Sequence, residues 1–474
     1  MSFRHGPRPS LSLMLVVGGI AGVLWGSQTP PSASAAPPKA SAKSRKGSIR
    51  PVAANRASAP GISGTAKLSQ FLGEGRDNHS ADTGLLEEWP EKGPTYLGVI
   101  KGLGVGFSNF SAADGVFYTL GNFDKREMVV AIRFEDGAKV WEYELSEAYR
   151  NNFGDGPRGT PTLDGDRLFA LGATGELVCL DRETGDKVWQ KNIVQEFGAG
   201  LPNWGICESV LIDGDRLICT PGGSEATLAA LDKQTGSVVW AGVTPQKDRP
   251  GYSSILPIEV NGLKQYAQFT ASGVIGMRAA DGQFLWRDDS SANGTANCAA
   301  PVYANGMLFS SSGYGKGASL LELTTTEDET TARLVHHSND MKVHHGGLVL
   351  VDGHVYGSSD SGGLTCLELP SVKKKWQNRS IGKGSITYAD GKLYLRDERD
   401  GKVALIRATP DEYKQLGVLE QPNRSNAKAW TYPVVFAGRL FLRDQDELHI
   451  YNVSKTDVAR RDRPRAAPSK TLVK

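Results

Sequence analysis

The chain has 474 residues, with 54 Lys+Arg against 52 Asp+Glu for a formal charge of +2, but the balance is uneven along its length. Residues 1–67 carry nine basic residues and no acid, and residues 454–474 carry seven basic residues and two acids, which leaves 68–453 at −12. An acidic body argues against a duplex-DNA reader, which needs a basic patch on its folded surface, and 56 glycines, about 12% of the chain against the usual ~7%, announce many turns.

The first segment reads as an address. Arg4, His5 and Arg8 precede an apolar run over residues 11–25, and Ala33-Ser34-Ala35 gives the small-x-small pattern of a cleavage site. A run of about 15 residues is short for a span of about 20, which favours a signal peptide over residues 1–35. An uncleaved N-terminal membrane anchor is the alternative. No cysteine precedes Cys179, so attachment as a lipoprotein is excluded. Residues 36–67 are rich in Pro, Ala, Ser, Lys and Arg and are expected to be a disordered basic linker. These features predict an exported protein of the periplasm or cell envelope.

Five cysteines (179, 207, 219, 298 and 366) are an odd number and form no disulfide framework. Cys179 and Cys366 stand where other copies of the repeat described next have Ala131 and Ala230, so they are expected to be small buried strand residues. No two cysteines are adjacent.

From residue 68 to 453 the chain repeats. One mark is a turn between alternating apolar runs, as in Asp164-Gly165-Asp166-Arg167-Leu168-Phe169, and it recurs at Gly115, Gly165, Gly214, Gly262, Gly306, Gly353, Gly391 and Gly438. Asp-Gly supplies the positive φ angles of a tight hairpin. The second mark closes the unit: Leu180-Asp181-Arg182-Glu183-Thr184-Gly185-Asp186-Lys187-Val188-Trp189 and Leu231-Asp232-Lys233-Gln234-Thr235-Gly236-Ser237-Val238-Val239-Trp240, with looser copies ending at Trp141, Trp286 and Trp376. Here an Asp side chain can satisfy nearby N–H groups, Gly takes the left-handed conformation, and Trp can fill the wedge between sheets. Four short strands in a unit of 40–50 residues make a propeller blade. The expected fold is all-β, one eight-bladed β-propeller of four-stranded blades over 68–453. Its ring should be closed by an early strand near Tyr96-Leu97-Gly98-Val99 that completes the blade running from Gly438 to Tyr451.

The closing mark resembles the repeat of the secreted PQQ-like (quinoprotein-type) propellers, and the resemblance covers 71–453. That superfamily includes PQQ-dependent alcohol dehydrogenases, among them polyvinyl-alcohol-type enzymes, the non-catalytic propeller of the outer-membrane-protein assembly machinery, and many propellers without assigned roles. The layout is most similar to the last group. Fold alone does not select among these chemistries.

The segments that lead into the innermost strands ring one mouth of a propeller. At blade spacing they bring Arg158, Trp204, Glu208, Tyr252, Asn297, His344, His345 and Lys383 among glycines and small residues, and these eight are the candidate ligand-binding residues. For PQQ, Arg158 and Lys383 could pair with carboxylates, Trp204 or Tyr252 could stack, and Glu208 and Asn297 could offer oxygens to Ca²⁺. The dehydrogenase resemblance also implies a base Asp and a vicinal disulfide. The chain has no vicinal pair, and Asp155 is the nearest Asp to the mouth segments. His336-His337 and His344-His345 are expected to end one blade and begin the next rather than to share a metal. Asn78-His79-Ser80 and Asn293-Gly294-Thr295 fit the glycosylation pattern, and 454–474 is expected to be a disordered basic tail. The expected function is a non-catalytic binding or assembly scaffold in the cell envelope, meeting an envelope protein or small ligand at its mouth, with no nucleic-acid partner and no cofactor. The alternative is a PQQ- and Ca²⁺-dependent alcohol dehydrogenase.

Overall fold

The computed structural model describes residue 62 and residues 66–360 and 363–456. The expected leader and most of the expected linker and tail lie outside those residues.

The hairpin turns behave as their sequence requires, with one variation. Asp114, Asn261, Asn305, Asp352, Asp390 and Ala437, and the glycine after each, all have positive φ, as a type I′ turn demands. In the copies at Gly165 and Gly214 the loop is shifted by one residue. Asp164 pairs with Arg167 and Asp213 with Arg216, so glycine comes first in the turn and the Asp ends the strand. The shift frees those carboxylates for the next blade: Lys233 Nζ reaches Asp164 Oδ2 at 2.7 Å, and the Tyr266 hydroxyl donates to Asp213 Oδ2 at 2.6 Å.

These turns link eight four-stranded antiparallel sheets, each a blade. Seven are contiguous in sequence, with outermost strands Lys139–Glu147, Lys187–Asn192, Val238–Gly242, Phe284–Asp288, Glu329–Ser338, Lys373–Asn378 and Gln415–Leu419 in blades 1 to 7. Blade 8 takes Val434–Phe436, Arg439–Asp444 and Glu447–Asn452 from the end of the chain. The early strand Thr95–Lys101 is its outermost member, pairing Ile100 with Leu448. Arg443, fully buried, locks this closure by donating to Ser108 O, Leu120 O and Gly104 O at the start of blade 1.

The core is distributed in wedges between neighbouring blades. Phe169, Leu177 and Cys179 of blade 2 pack against Leu217, Cys219 and Leu231 of blade 3, and Cys366 is likewise fully buried in a strand. The closing mark joins the wedges at their outer ends. Asp181 Oδ1 accepts the N–H groups of Glu183 and Thr184, and Asp232 repeats the pattern with Gln234 and Thr235. The tryptophan of one blade then covers the turn of the next. Trp189 Nε1 donates to Lys233 O at 3.0 Å, and a Cβ on Gly236 would lie 2.9 Å from its ring. Trp141 and Trp376 also donate to the next blade, to Arg182 O and Thr409 O. Trp286 instead donates to Gln265 Oε1 in its own blade, because blade 5 has the long hairpin Gly317–Thr326 and Glu329–Ser338 in place of an Asp-x-x-Thr-Gly turn.

One feature had no counterpart in the repeat. Residues 68–80 thread the axis of the ring. Leu68 bridges Ala112, Ser69 O accepts from Leu163 N, Asn78 O accepts from Tyr388 N, and the Ser80 hydroxyl donates to Val435 O. At its centre Arg76 is buried and donates to Ile255 O (2.8 Å), Ser209 O (2.7 Å), Val210 O (3.2 Å) and Gln70 Oε1 (3.2 Å). Burial lowers its pKa to about 10 against the opposing pull of Glu208. The segment then passes outward, where Trp89 N donates to Leu416 O on blade 7. Ser454, expected in the tail, still bridges Leu85.

Candidate functional site

Above the plug the mouth opens into a cavity of about 360 Å³. Six of the eight residues expected there line it: Arg158, Trp204, Tyr252, His344, His345 and Lys383. Glu208 and Asn297 do not. Both lie in segments between strands along which cavity-lining and wall-facing side chains alternate. Cys207 and Cys298, their neighbours, face the cavity, and they themselves face the wall. Glu208 accepts from Thr220 N (2.8 Å) and Thr220 Oγ1 (2.9 Å), and burial pushes its carboxyl up to about 7. The Asn297 amide donates to Thr270 O and Ala271 O, both at 3.0 Å, and its oxygen accepts from Asn293 N. His344 and His345 escape the alternation because their strand, Val343–Val351, breaks register between Val343 and Leu348, with Gly347 at φ 75°.

The cavity has two chemically distinct walls. One is aromatic and holds a positioned cation. The Arg158 guanidinium lies 5.3 Å from the Phe107 ring centre and 5.7 Å from that of Tyr149, and it donates to Gly156 O and Gly154 O. Trp204 meets Tyr252 edge-on at 5.3 Å and Phe153 at 5.8 Å. Cys207, whose pKa burial raises to about 11, and Cys298, also raised by burial, stay protonated thiols at neutral pH.

The opposite wall is a charged cluster. Lys383 Nζ lies 2.7 Å from Asp360 Oδ1 and 2.8 Å from His344 Nδ1, and Glu398 Oε1 is 3.8 Å away. Burial, reinforced by the Lys383 charge, lowers the His344 pKa to about 4, so the neutral ring accepts from the ammonium. His345 is also pushed well below the ordinary imidazole range, by burial and then by His344 and Lys383. Its Nε2 is 3.4 Å from Glu398 Oε2, and neither ring nitrogen makes a hydrogen bond among the described residues. Trp430 Nε1 donates to the same Glu398 oxygen, and the Tyr432 hydroxyl donates to His345 O at 2.8 Å.

Glu398, Asp360 and Cys298 were not among the mouth residues expected from the sequence, nor was Phe71, which the plug carries to the cavity and sets edge-on to Tyr432 at 5.5 Å. Glu398 follows the strand Lys392–Asp397 on the way out of the blade interior, so reading only the segments that lead inward misses it. Phe71 has no blade phase at all. The alternation would have found Cys298, since Ala296 faces the cavity and Asn297 does not. Asp155 is engaged outside the cavity, accepting from Asn151 N and pairing with Arg150. The two histidine pairs lie on the outer strand of blade 5 and the inner strand of blade 6, and the described residues hold no group of three His, Cys, Asp or Glu that could bind a metal ion.

Against known proteins, residues 125–378 match the family model described as outer membrane protein assembly factor BamB. The chain belongs to this PQQ-like propeller family. Outer membrane protein assembly factor BamB of Yersinia pestis is 25% identical over 256 residues, 52% of this chain, and the match spans 62% of that protein's length. Among solved structures, BamB from Moraxella catarrhalis superposes with a TM-score of 0.51 at 16% identity, covering 76% of this chain and 97% of that one. A europium-containing methanol dehydrogenase gives 0.56 at 11% identity, covering 80% and 90%. Both structural likenesses concern the fold.

The two oxygen donors expected for Ca²⁺, Glu208 and Asn297, are committed to Thr220 and to the Thr270 and Ala271 carbonyls. Lys383, expected for a cofactor carboxylate, is already paired with Asp360. The residues present do not fit PQQ with Ca²⁺ as placed from the sequence.

Proposed function

We propose that this chain is a non-catalytic binding and assembly scaffold of the cell envelope, and that its mouth cavity receives part of a partner protein. The observation that carries the reading is the family match over residues 125–378, together with a relative named as an outer membrane protein assembly factor. The cavity supports it: aromatic walls with a few fixed polar groups suit an inserted side chain or loop. Export by the segment over residues 1–35 belongs to the same proposal.

The test places a photo-crosslinking residue at Phe153 or Tyr314, both exposed at the rim of the cavity. Cells carrying the full chain are irradiated, and adducts are identified by mass spectrometry. The expected result is a reproducible adduct with an envelope protein, weakened by Trp204→Ala. In parallel the purified protein is incubated with PQQ and Ca²⁺ and assayed by absorbance and dye-linked alcohol oxidation. Saturable PQQ binding with turnover would overturn the scaffold reading.

A further inference from the structure

The outer edge of every propeller blade is a strand with one unpaired side, and natural sheets protect such edges with charge or with a covering segment. Here six of the eight outermost strands carry charged residues. Blade 1 has Lys139, Glu142, Glu144 and Glu147; blade 2 has Lys187 and Lys191; blade 4 has Arg287 and Asp288. Blade 5 has Glu329 and Arg333, blade 6 has Lys373, Lys374 and Lys375, and blade 8 has Lys101.

Two outer strands have none: Val238–Gly242 in blade 3 and Gln415–Leu419 in blade 7. The blade 7 edge is covered by this chain itself. Trp89 N donates to Leu416 O at 2.9 Å, a Cβ on Gly417 would lie 2.5 Å from Trp89, and Gly93 packs on Leu419. The blade 3 edge has no such cover among the described residues. Val238 is 45% exposed, Val239 48% and Val243 36%. Gly242 O accepts from Thr227 N within the blade, so by the alternation of an antiparallel ladder Ala241 and Val243 turn their N–H and C=O groups outward.

We propose that Val238–Gly242 is a docking edge for an extended segment of a partner protein, which adds to blade 3 as a fifth strand. Main-chain hydrogen bonds to Ala241 and Val243 would hold it, and apolar side chains would cover the valines. Two observations select this occupant. Blade 7 shows that an uncharged edge of this fold is covered by a passing segment that sets a large apolar side chain on it and donates a main-chain hydrogen bond to it. The −12 charge of residues 68–453 opposes a second copy and favours a strand with basic flanks. The edge is on the rim, so the proposal stands whatever the mouth cavity receives.

The test uses the full chain in its native cells with a photo-crosslinking residue at Ala241, and a control with the same residue at Glu142 on the charged edge of blade 1. The expected result is an adduct at Ala241, absent at Glu142, mapping to one apolar segment with basic flanks in one other protein. Val243→Lys should reduce that adduct at least tenfold. Lysine at this exposed position should leave the melting temperature unchanged, which separates loss of docking from loss of fold. A synthetic peptide of the mapped segment should then slow hydrogen exchange at the Ala241 and Val243 amides. No adduct, an adduct with a second copy or with residues 1–61 or 457–474 of this chain, or an adduct insensitive to Val243→Lys would each overturn the proposal.

Discussion

Arg76→Met isolates what the axial plug contributes. The substitution keeps an apolar stem of similar length and removes every donor of the guanidinium. Val210 O retains the Thr162 hydroxyl as a donor, but Ser209 O and Ile255 O lose the Arg76 bonds. A buried carbonyl left unpaired costs about 1–3 kcal/mol. Glu208, already raised to about 7 by burial, also loses its opposing charge. Methionine regains part of this, since the cost of burying the guanidinium disappears. A net loss of about 3–5 kcal/mol is expected, the cost of two such unpaired carbonyls less what methionine regains. Urea denaturation followed by tryptophan fluorescence at pH 7 measures it, and limited proteolysis should show faster cleavage between residues 68 and 94. Arg76→Lys, which keeps the charge but not the fork, should fall between the two. A loss below about 1 kcal/mol with unchanged proteolysis would refute the view that Arg76 pins the plug.

Gly236→Ala should destabilise by about 1–3 kcal/mol more than Gly214→Ala in the same blade, judged by thermal melting. Both glycines have positive φ (72° and 60°), but only the first would drive a Cβ into the Trp189 ring, so equal losses would sink the wedge argument. His344→Gln should flatten the acid side of the stability profile. The native ring stays neutral down to about pH 4 whereas the unfolded chain protonates near 6.5. Stability present above pH 6.5 is therefore lost as pH falls towards 4, by up to about 3 kcal/mol, and the variant lacks that loss. Glu127 and Glu208, raised to about 7, act oppositely, holding protons as pH falls from 7 to 4.5 and so stabilising the fold. The comparison must therefore be variant against wild type at each pH. Lys383→Met should move the His344 pKa upward in an NMR titration, because the ammonium depresses it while Asp360 raises it; an unchanged value would contradict the cluster geometry.

The mouth was legible from the chain in part. Arg158, Trp204 and Tyr252 follow from blade phase, since each sits just before an inner strand. Glu208 and Asn297 shared that phase and still turned into the wall, one residue away from Cys207 and Cys298, which took the cavity-facing places. Glu398 and Phe71 reach the same cavity from an outgoing loop and from the plug, and neither carries a repeat mark.

The blade count, the closure through Thr95–Lys101 and the tryptophan wedges were set by the sequence alone. Each depends on local rules: glycine where φ is positive, alternation along a strand, a fixed spacing from turn to tryptophan. Only the tertiary structure decided that the axis is filled, which wall each polar side chain faces, and which of two uncharged edges is left open among the described residues. Those outcomes depend on what arrives from elsewhere in the chain. The Arg76 guanidinium finds its three carbonyl acceptors 133 to 179 residues away, a distance over which no local periodicity carries information.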